Sequence, residues 1–106
     1  MKTSLRVLLV MVAVVFACST RTFAADSGAD LYKAKCASCH GAAGKGDTAI
    51  GKTMRVKDLG SEEVRKQSDA DLTTIIEKGK KPMPGYEGKL TKDQIADVVK
   101  YLRTLK

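Results

Sequence analysis

The chain of 106 residues contains one histidine, two prolines, three cysteines and no tryptophan. A closed zinc site needs four ligands, and Cys18 lies far upstream in an apolar leader, so such a site lacks its fourth ligand here. No stretch alternates apolar and polar residues, which disfavours a sheet and the strand–helix–strand setting of a redox Cys-x-x-Cys. Aromatic residues make up only 5% and the charges are interspersed, which argues against nucleic-acid binding.

The first 24 residues have the composition of a secretory signal peptide. Lys2 and Arg6 give a basic start, residues 5–17 are almost wholly apolar, and small residues follow. The apolar run is too short to span a bilayer, which takes about 20 residues. We therefore expect a signal peptide at 1–24 and one exported domain, at 25–106, in the periplasm.

A lipid anchor is the alternative fate of the leader. Residues 15–18, Val-Phe-Ala-Cys, resemble a bacterial lipoprotein box, in which Cys18 would be lipidated and retained. Phe16 departs from the small or aliphatic residue usual at its position. Lipidation would hold the protein at the membrane through Cys18, and either route takes the chain out of the cytoplasm.

Residues 36–40, Cys-Ala-Ser-Cys-His, form the pattern C-x-x-C-H for covalent attachment of a c-type haem. Positions three and four apart share a helix face, so Cys36, Cys39 and His40 can point the same way. Two such thiols can add to the two vinyl groups on one porphyrin edge, and the imidazole can reach the iron. We predict one haem c, bound through both cysteines, with its iron held by His40. A redox dithiol is the remaining interpretation.

The far side of the iron needs a second ligand. Residues 26–106 hold two methionines, Met54 and Met83, and both prolines of the chain flank Met83. Proline restricts its own backbone and that of the preceding residue, so Met83 is presented from a stiff, non-helical segment. Met83 is the predicted ligand. Met54, a deprotonated lysine and an open site remain alternatives.

Helix signals recur along the mature chain. Polar N-caps precede apolar faces with i, i+3, i+4 spacing. The predicted helices cover 26–35, 61–66, 68–78 and 91–106, with 48–60 as an extended loop. A domain of this size has a limited core, and a covalently held macrocycle would enlarge it. We therefore predict an all-α fold of short helices and long loops wrapped around one haem.

Over residues 26–106 the chain resembles a class I c-type cytochrome of the small bacterial, single-haem kind. The matching residues come in the family's order: Gly28 and Tyr32, then Cys36-x-x-Cys39-His40, then Met83-Pro84, and last Tyr101-Leu102. The resemblance implies a cytochrome c-like fold in which the terminal helices cross closely at Gly28. It also implies axial ligation by His40 and Met83.

Two further points follow from the resemblance. Leu59 and Leu72 occupy positions where the family has apolar residues lining the haem pocket. Many members carry a proline just after the haem motif, whereas residues 42–44 here are Ala-Ala-Gly. The carbonyl that orients His40 is therefore left open.

The predicted function is one-electron transfer in the periplasm, with the iron alternating between ferrous and ferric states. We find no nucleophile paired with a base, and the single histidine is already assigned, so we expect a carrier and not an enzyme. Two alternatives remain: a haem subunit of a larger oxidoreductase complex, and a ligand-binding haem sensor with an open sixth site.

The charge of the mature region bears on its partners. Of 19 Lys and Arg residues, 16 follow residue 25, against 12 Asp and Glu. We expect a monomer that binds redox proteins at acidic docking patches on those partners and does not bind nucleic acid. The steering lysines would include Lys45, Lys80, Lys81 and Lys89, although ordinary solubilising lysines explain them nearly as well. Candidates to meet the haem propionates are Lys52, Arg55 and Lys57.

Overall fold

The computed structural model describes residues 27–106, so the predicted signal peptide at 1–24 and the lipidation site at Cys18 lie outside the described residues. The six helices of this part are α1 (Gly28–Lys35), α2 (Ala37–His40), α3 (Ala49–Met54), α4 (Glu62–Arg65), α5 (Asp69–Lys78) and α6 (Lys92–Leu102). Strand-like pairing in 27–106 is limited to two isolated bridges, Lys80 with Met83 and Glu87 with Leu90. The all-α prediction is confirmed.

Five of the six helices begin with the same kind of side-chain N-cap. A Ser or Thr side chain accepts a hydrogen bond from the backbone N–H three residues ahead, which satisfies a donor that the helix leaves free. These N-caps are Ser27, Thr48, Ser61, Ser68 and Thr91. In α6 the bond is reciprocated, because the Thr91 N–H donates to the Gln94 side chain at 2.9 Å.

Helix α3 corrects the predicted loop at 48–60. Thr48 caps it and also donates its hydroxyl to the Cys39 carbonyl at 2.9 Å. The helix packs through glycine, since a Cβ on Gly51 would overlap that same carbonyl and lie 2.7 Å from the Gly46 carbonyl oxygen. The loop prediction was wrong for 49–54, because this helix packs through Gly51 and buries no apolar side chain.

The first and last helices cross at Gly28. A Cβ there would overlap the Asp97 carbonyl and lie 3.2 Å from the Tyr101 Cβ, so only glycine allows this approach. One turn further on, the rings of Tyr32 and Tyr101 pack with centroids 5.1 Å apart and planes tilted by 49°. The close crossing that the resemblance implied is confirmed.

The core lies among α1, α5 and α6. Tyr32, Ile95 and Val98 are its most deeply buried side chains, each 1% exposed. Leu72 belongs to this core, and Leu59 packs against its edge. Within residues 27–106, none of the helices has both the length and the apolarity needed to cross a membrane.

Candidate functional site

The C-x-x-C-H residues lie at the junction of α1 and α2. Cys36 ends α1 and precedes α2, and His40 is the last residue of α2. The N–H groups of Cys39 and His40 both donate to the Cys36 carbonyl, at 3.2 and 2.9 Å. The two cysteines are free thiols of intermediate exposure. One helical turn therefore carries both thiols and the imidazole.

The protonation states of these groups separate the two interpretations of the motif. Burial, with Cys39 as a smaller contribution, raises the pKa of the Cys36 thiol to about 11. A dithiol oxidoreductase needs a thiol with a lowered pKa, so Cys36 is poorly suited to that chemistry. Burial lowers the pKa of His40, which favours the neutral imidazole that binds metals.

One nitrogen of the His40 ring lacks a hydrogen-bond partner in the described part of the chain. Its Nδ1 is the one buried side-chain nitrogen or oxygen without a partner among residues 27–106. An imidazole bound to a metal through Nε2 would carry its proton on this nitrogen. No carbonyl among residues 27–106 accepts a hydrogen bond from this nitrogen.

The backbone around His40 is held from outside its helix. The Gly46 N–H donates to the His40 carbonyl at 2.7 Å. The Tyr32 hydroxyl donates to the Gly41 carbonyl at 2.6 Å. Burial is the largest of several influences that raise the pKa of Tyr32 to about 12, so this hydroxyl remains a donor at neutral pH.

Met83 lies in a tight, non-helical turn. Lys80 and Met83 exchange two backbone hydrogen bonds, at 2.8 and 3.2 Å, which close the turn around Pro82. A Cβ on Gly79 would lie 2.6 Å from the Met83 carbonyl oxygen, so the chain folds closely over the end of α5. Met83 is half-buried against the core, while Pro82 and Pro84 are exposed. The prediction of a constrained, non-helical segment is confirmed.

Tyr86 connects the Met83 turn to the haem motif. Its hydroxyl donates to the Lys35 carbonyl at 3.0 Å, across 51 positions of sequence. Burial is the largest influence that raises the pKa of Tyr86, and Cys36 and Cys39 contribute after it, so the Tyr86 hydroxyl lies near both thiols. Sequence analysis missed Tyr86. Its one signal was an aromatic residue three positions after Met83.

Two apolar side chains next to the motif are open to solvent. Ile50 and Met54 are the large hydrophobic residues left exposed in 27–106, at 47% and 46%. They are four residues apart on α3 and share a face. The free thiols of Cys36 and Cys39 and the neutral imidazole of His40, all on one turn, fit a macrocycle attached at this motif. No cluster of three His, Cys, Asp or Glu residues in the described range offers a competing metal site.

The predicted cations differ in their surroundings. Lys57 is paired with Glu63, and Lys45 lies 3.7 Å from Asp58 and donates to the Lys106 carbonyl. Cations without an ion pair among residues 27–106 include Lys52, Arg55, Lys80, Lys81 and Lys89. Of the three propionate candidates, Lys57 is thus the one already engaged.

Comparison with known proteins agrees with this site. Residues 23–102 match the family described as cytochrome C oxidase, cbb3-type, subunit III. The chain is 39% identical to cytochrome c6 of Nostoc sp. over 98 residues, which is 91% of this chain and 86% of the relative. It is 33% identical to cytochrome c6 of Picosynechococcus sp., over 96% of this chain and 92% of the relative. The solved structure of the c-type cytochrome KustC0563 superimposes with a TM-score of 0.71 at 28% identity, covering 76% of this chain and 99% of that one.

Proposed function

The chain belongs to the family of small c-type cytochromes, which bind one haem c covalently and transfer electrons, and we propose that it is a one-electron carrier of the periplasm with His40 and Met83 as axial ligands. The observation that carries this proposal is the hydrogen bond from Tyr86 to the Lys35 carbonyl. It ties the segment that bears Met83 to the helix that runs into the haem motif.

Attachment and proximal ligation are proposed for α2. Cys36 and Cys39 would each add their thiol across a vinyl group, forming two thioether bonds without loss of any atom. His40 would bind iron through Nε2, and the lowered pKa of the imidazole means that no proton has to be displaced near neutral pH. The bound haem supplies a couple between ferrous and ferric iron.

Closure of the sixth position is proposed to depend on Met83. The backbone pair between Lys80 and Met83 restricts the turn before the thioether, and the Tyr86 N–H donates to the Ile76 carbonyl at 2.8 Å after it. A turn anchored on both sides can keep the same ligand in both oxidation states, which limits rearrangement during electron transfer. Thioether ligation should also raise the reduction potential relative to two imidazoles.

A visible spectrum of both oxidation states, with and without CO, tests these assignments. The purified wild-type protein should show covalent, six-coordinate haem, and its ferrous form should bind little CO. Met83→Ala should bind CO readily, whereas the matched variant Met54→Ala should behave as the wild type. CO binding by the wild-type protein would instead support a ligand-binding sensor. A Met83→Ala protein that binds no CO would refute the ligand assignment.

Location in the periplasm is supported by the composition of residues 1–24. The mass of the mature protein from fractionated cells tests this, because cleavage after Ala24 and lipidation at Cys18 leave products of different mass. A mature chain that begins near residue 25 in the soluble periplasmic fraction is the expected result. A lipid-bearing Cys18 in the membrane fraction would instead show that the protein is anchored to the membrane.

Docking on acidic redox partners is supported by lysines near the Met83 turn. Lys80, Lys81 and Lys89 are exposed and make no ion pair within 27–106, and Lys89 lies 5.8 Å from the centre of the Tyr86 ring. Lys81→Glu should slow electron transfer with an acidic partner and weaken its salt dependence. Lys100→Glu, on α6, is the control of equal charge. Equal slowing by both changes would refute a localised docking surface.

A haem subunit of a larger oxidoreductase is the second candidate, favoured by the description of the matched family. Gel filtration of a periplasmic extract distinguishes a free carrier from a subunit of a complex. A haem protein that elutes as a free monomer supports the carrier, and stable co-elution with a catalytic chain supports the subunit.

A further inference from the structure

We propose that residues 103–106, the segment after α6, form a strap that closes two loops beside the haem motif and keeps water from the His40 side of the site. The two loops are 41–46 and 55–60. Leu105 is the positioning residue of this strap, because it would act through the loops and would not touch the iron. The inference rests on the proposed function, since it takes His40 as the iron ligand.

The two loops are joined to each other and to His40 by backbone hydrogen bonds. The Gly46 N–H donates to the His40 carbonyl, and the Leu59 N–H donates to the Gly44 carbonyl, each at 2.7 Å. A Cβ on Gly46 would lie 2.6 Å from the Val56 carbonyl oxygen, so the loops run in contact. Neither donor lies in a helix, so the protection of both N–H groups from water depends on what covers the loops.

The strap lies directly on both loops. Gly44 is buried, and a Cβ there would lie 2.7 Å from the Leu105 Cδ1 and 3.2 Å from the Leu59 Cβ. A Cβ on Gly60 would lie 2.5 Å from the carbonyl carbon of Lys106. The Leu105 side chain is half-buried against the core. The strap therefore contacts the first loop through an apolar side chain and the second through its backbone.

Hydrogen bonds hold the strap from two directions. Arg65, at the end of α4, donates to the Leu105 carbonyl at 3.0 Å, and Lys45 donates to the Lys106 carbonyl at 3.1 Å. The Arg103 guanidinium donates to the Arg65 carbonyl at 3.1 Å, so each arginine binds the backbone of the other's segment. These bonds are exposed, and water can replace them at small cost. The apolar contact of Leu105 is thus the main closure of the strap.

Exclusion of water beside a metal site acts on its reduction potential. The apolar shell around such a site controls solvent access and the local dielectric. Water stabilises ferric haem more than ferrous haem, because the ferric state carries the additional positive charge. A closed strap therefore raises the potential, and its loss should lower the potential.

Hydrogen exchange of the haem-loaded protein tests the strap, with Leu105→Ala as the variant and Val99→Ala as the control. Both changes remove apolar atoms from side chains that pack in the core, but Val99 lines a groove between α5 and α6. Leu105→Ala should speed exchange of the Gly46 and Leu59 N–H groups on the order of tenfold relative to the interior amides of α6. It should also lower the reduction potential. Val99→Ala should do neither.

Two results would overturn the strap. The first is equal acceleration at all amides in Leu105→Ala, which shows only a loss of global stability. The second is selective exposure of the two loop amides with an unchanged reduction potential, because the strap would then have no effect on the site.

A second pair of variants covers the case in which Leu105→Ala fails to fold. Arg65→Met removes the donor to the Leu105 carbonyl, and Lys66→Met removes the neighbouring charge, which is paired elsewhere. Arg65→Met should speed exchange of the same two loop amides about 2- to 12-fold, and Lys66→Met should leave it unchanged. Equal rates in these two variants would overturn the strap alone. Wild-type protein without covalent haem would instead overturn the proposed function.

Discussion

Loss of the Tyr86 hydroxyl should loosen the segment that carries Met83. In Tyr86→Phe the ring and its packing remain, and the bond to the Lys35 carbonyl at 3.0 Å is removed. That bond links residues near Met83 to the end of α1, so its loss favours states in which the turn has moved away. The expected result is easier entry of CO at the sixth position of the ferrous haem.

The size of the effect follows from the environment of the bond. A hydrogen bond of this kind contributes a net 0.5–1.5 kcal/mol, and its acceptor, Lys35, is exposed, so water can replace the lost donor. If the whole contribution acts on opening of the turn, the open population rises about 2- to 12-fold. Thermal stability should change little, because the bond lies at the surface.

Stopped-flow mixing of ferrous protein with CO measures the open population directly. Tyr86→Phe should bind CO about 2- to 12-fold faster than the wild type. Met83→Ala sets the upper limit, and Tyr101→Phe, which removes a hydroxyl distant from the turn, should match the wild type. A Tyr86→Phe rate equal to that of Tyr101→Phe would show that the Tyr86–Lys35 bond does not hold the turn closed.

Three changes test the fold itself by chemical denaturation. Gly28→Ala should cost about 1–3 kcal/mol or more, because the new Cβ meets the Asp97 carbonyl; a neutral result would contradict the close crossing. Arg55→Gly should stabilise the folded protein by up to about 1 kcal/mol, since Arg55 has a φ of +55°. Destabilisation would show that the Arg55 side chain makes a contact that stabilises the fold by more than its backbone strain costs. Thr91→Ala should cost about 1 kcal/mol by removing the capping box with Gln94, and an unchanged free energy of unfolding would contradict the role of this cap.

The caps and the motif were predictable because their interactions are local. Ser27, Ser61, Ser68 and Thr91 each bond to a backbone group three residues ahead, so a short window of sequence contains both partners. The C-x-x-C-H spacing likewise encodes its own geometry through the helical turn. The stiffness of the Met83 segment follows from the two prolines beside it, without reference to the rest of the chain.

Helix α3 shows where local signals fail. In the structure Thr48 caps this helix, which is held by the contact of Gly51 with the Cys39 carbonyl and leaves Ile50 and Met54 exposed. Its one buried residue is a glycine, so the helix lacks the buried apolar stripe by which a packed helix is recognised.

By itself the sequence determined the kind of cofactor, the starts of four helices and one stiff methionine, and it predicted the attachment residues. The tertiary structure alone decided how these parts meet. The bond from Tyr86 to Lys35 spans 51 positions, and the bond from Tyr32 to the Gly41 carbonyl depends on the crossing at Gly28. Such pairs are chosen by packing between distant elements, which no local pattern encodes, and they hold the two sides of the proposed haem site together.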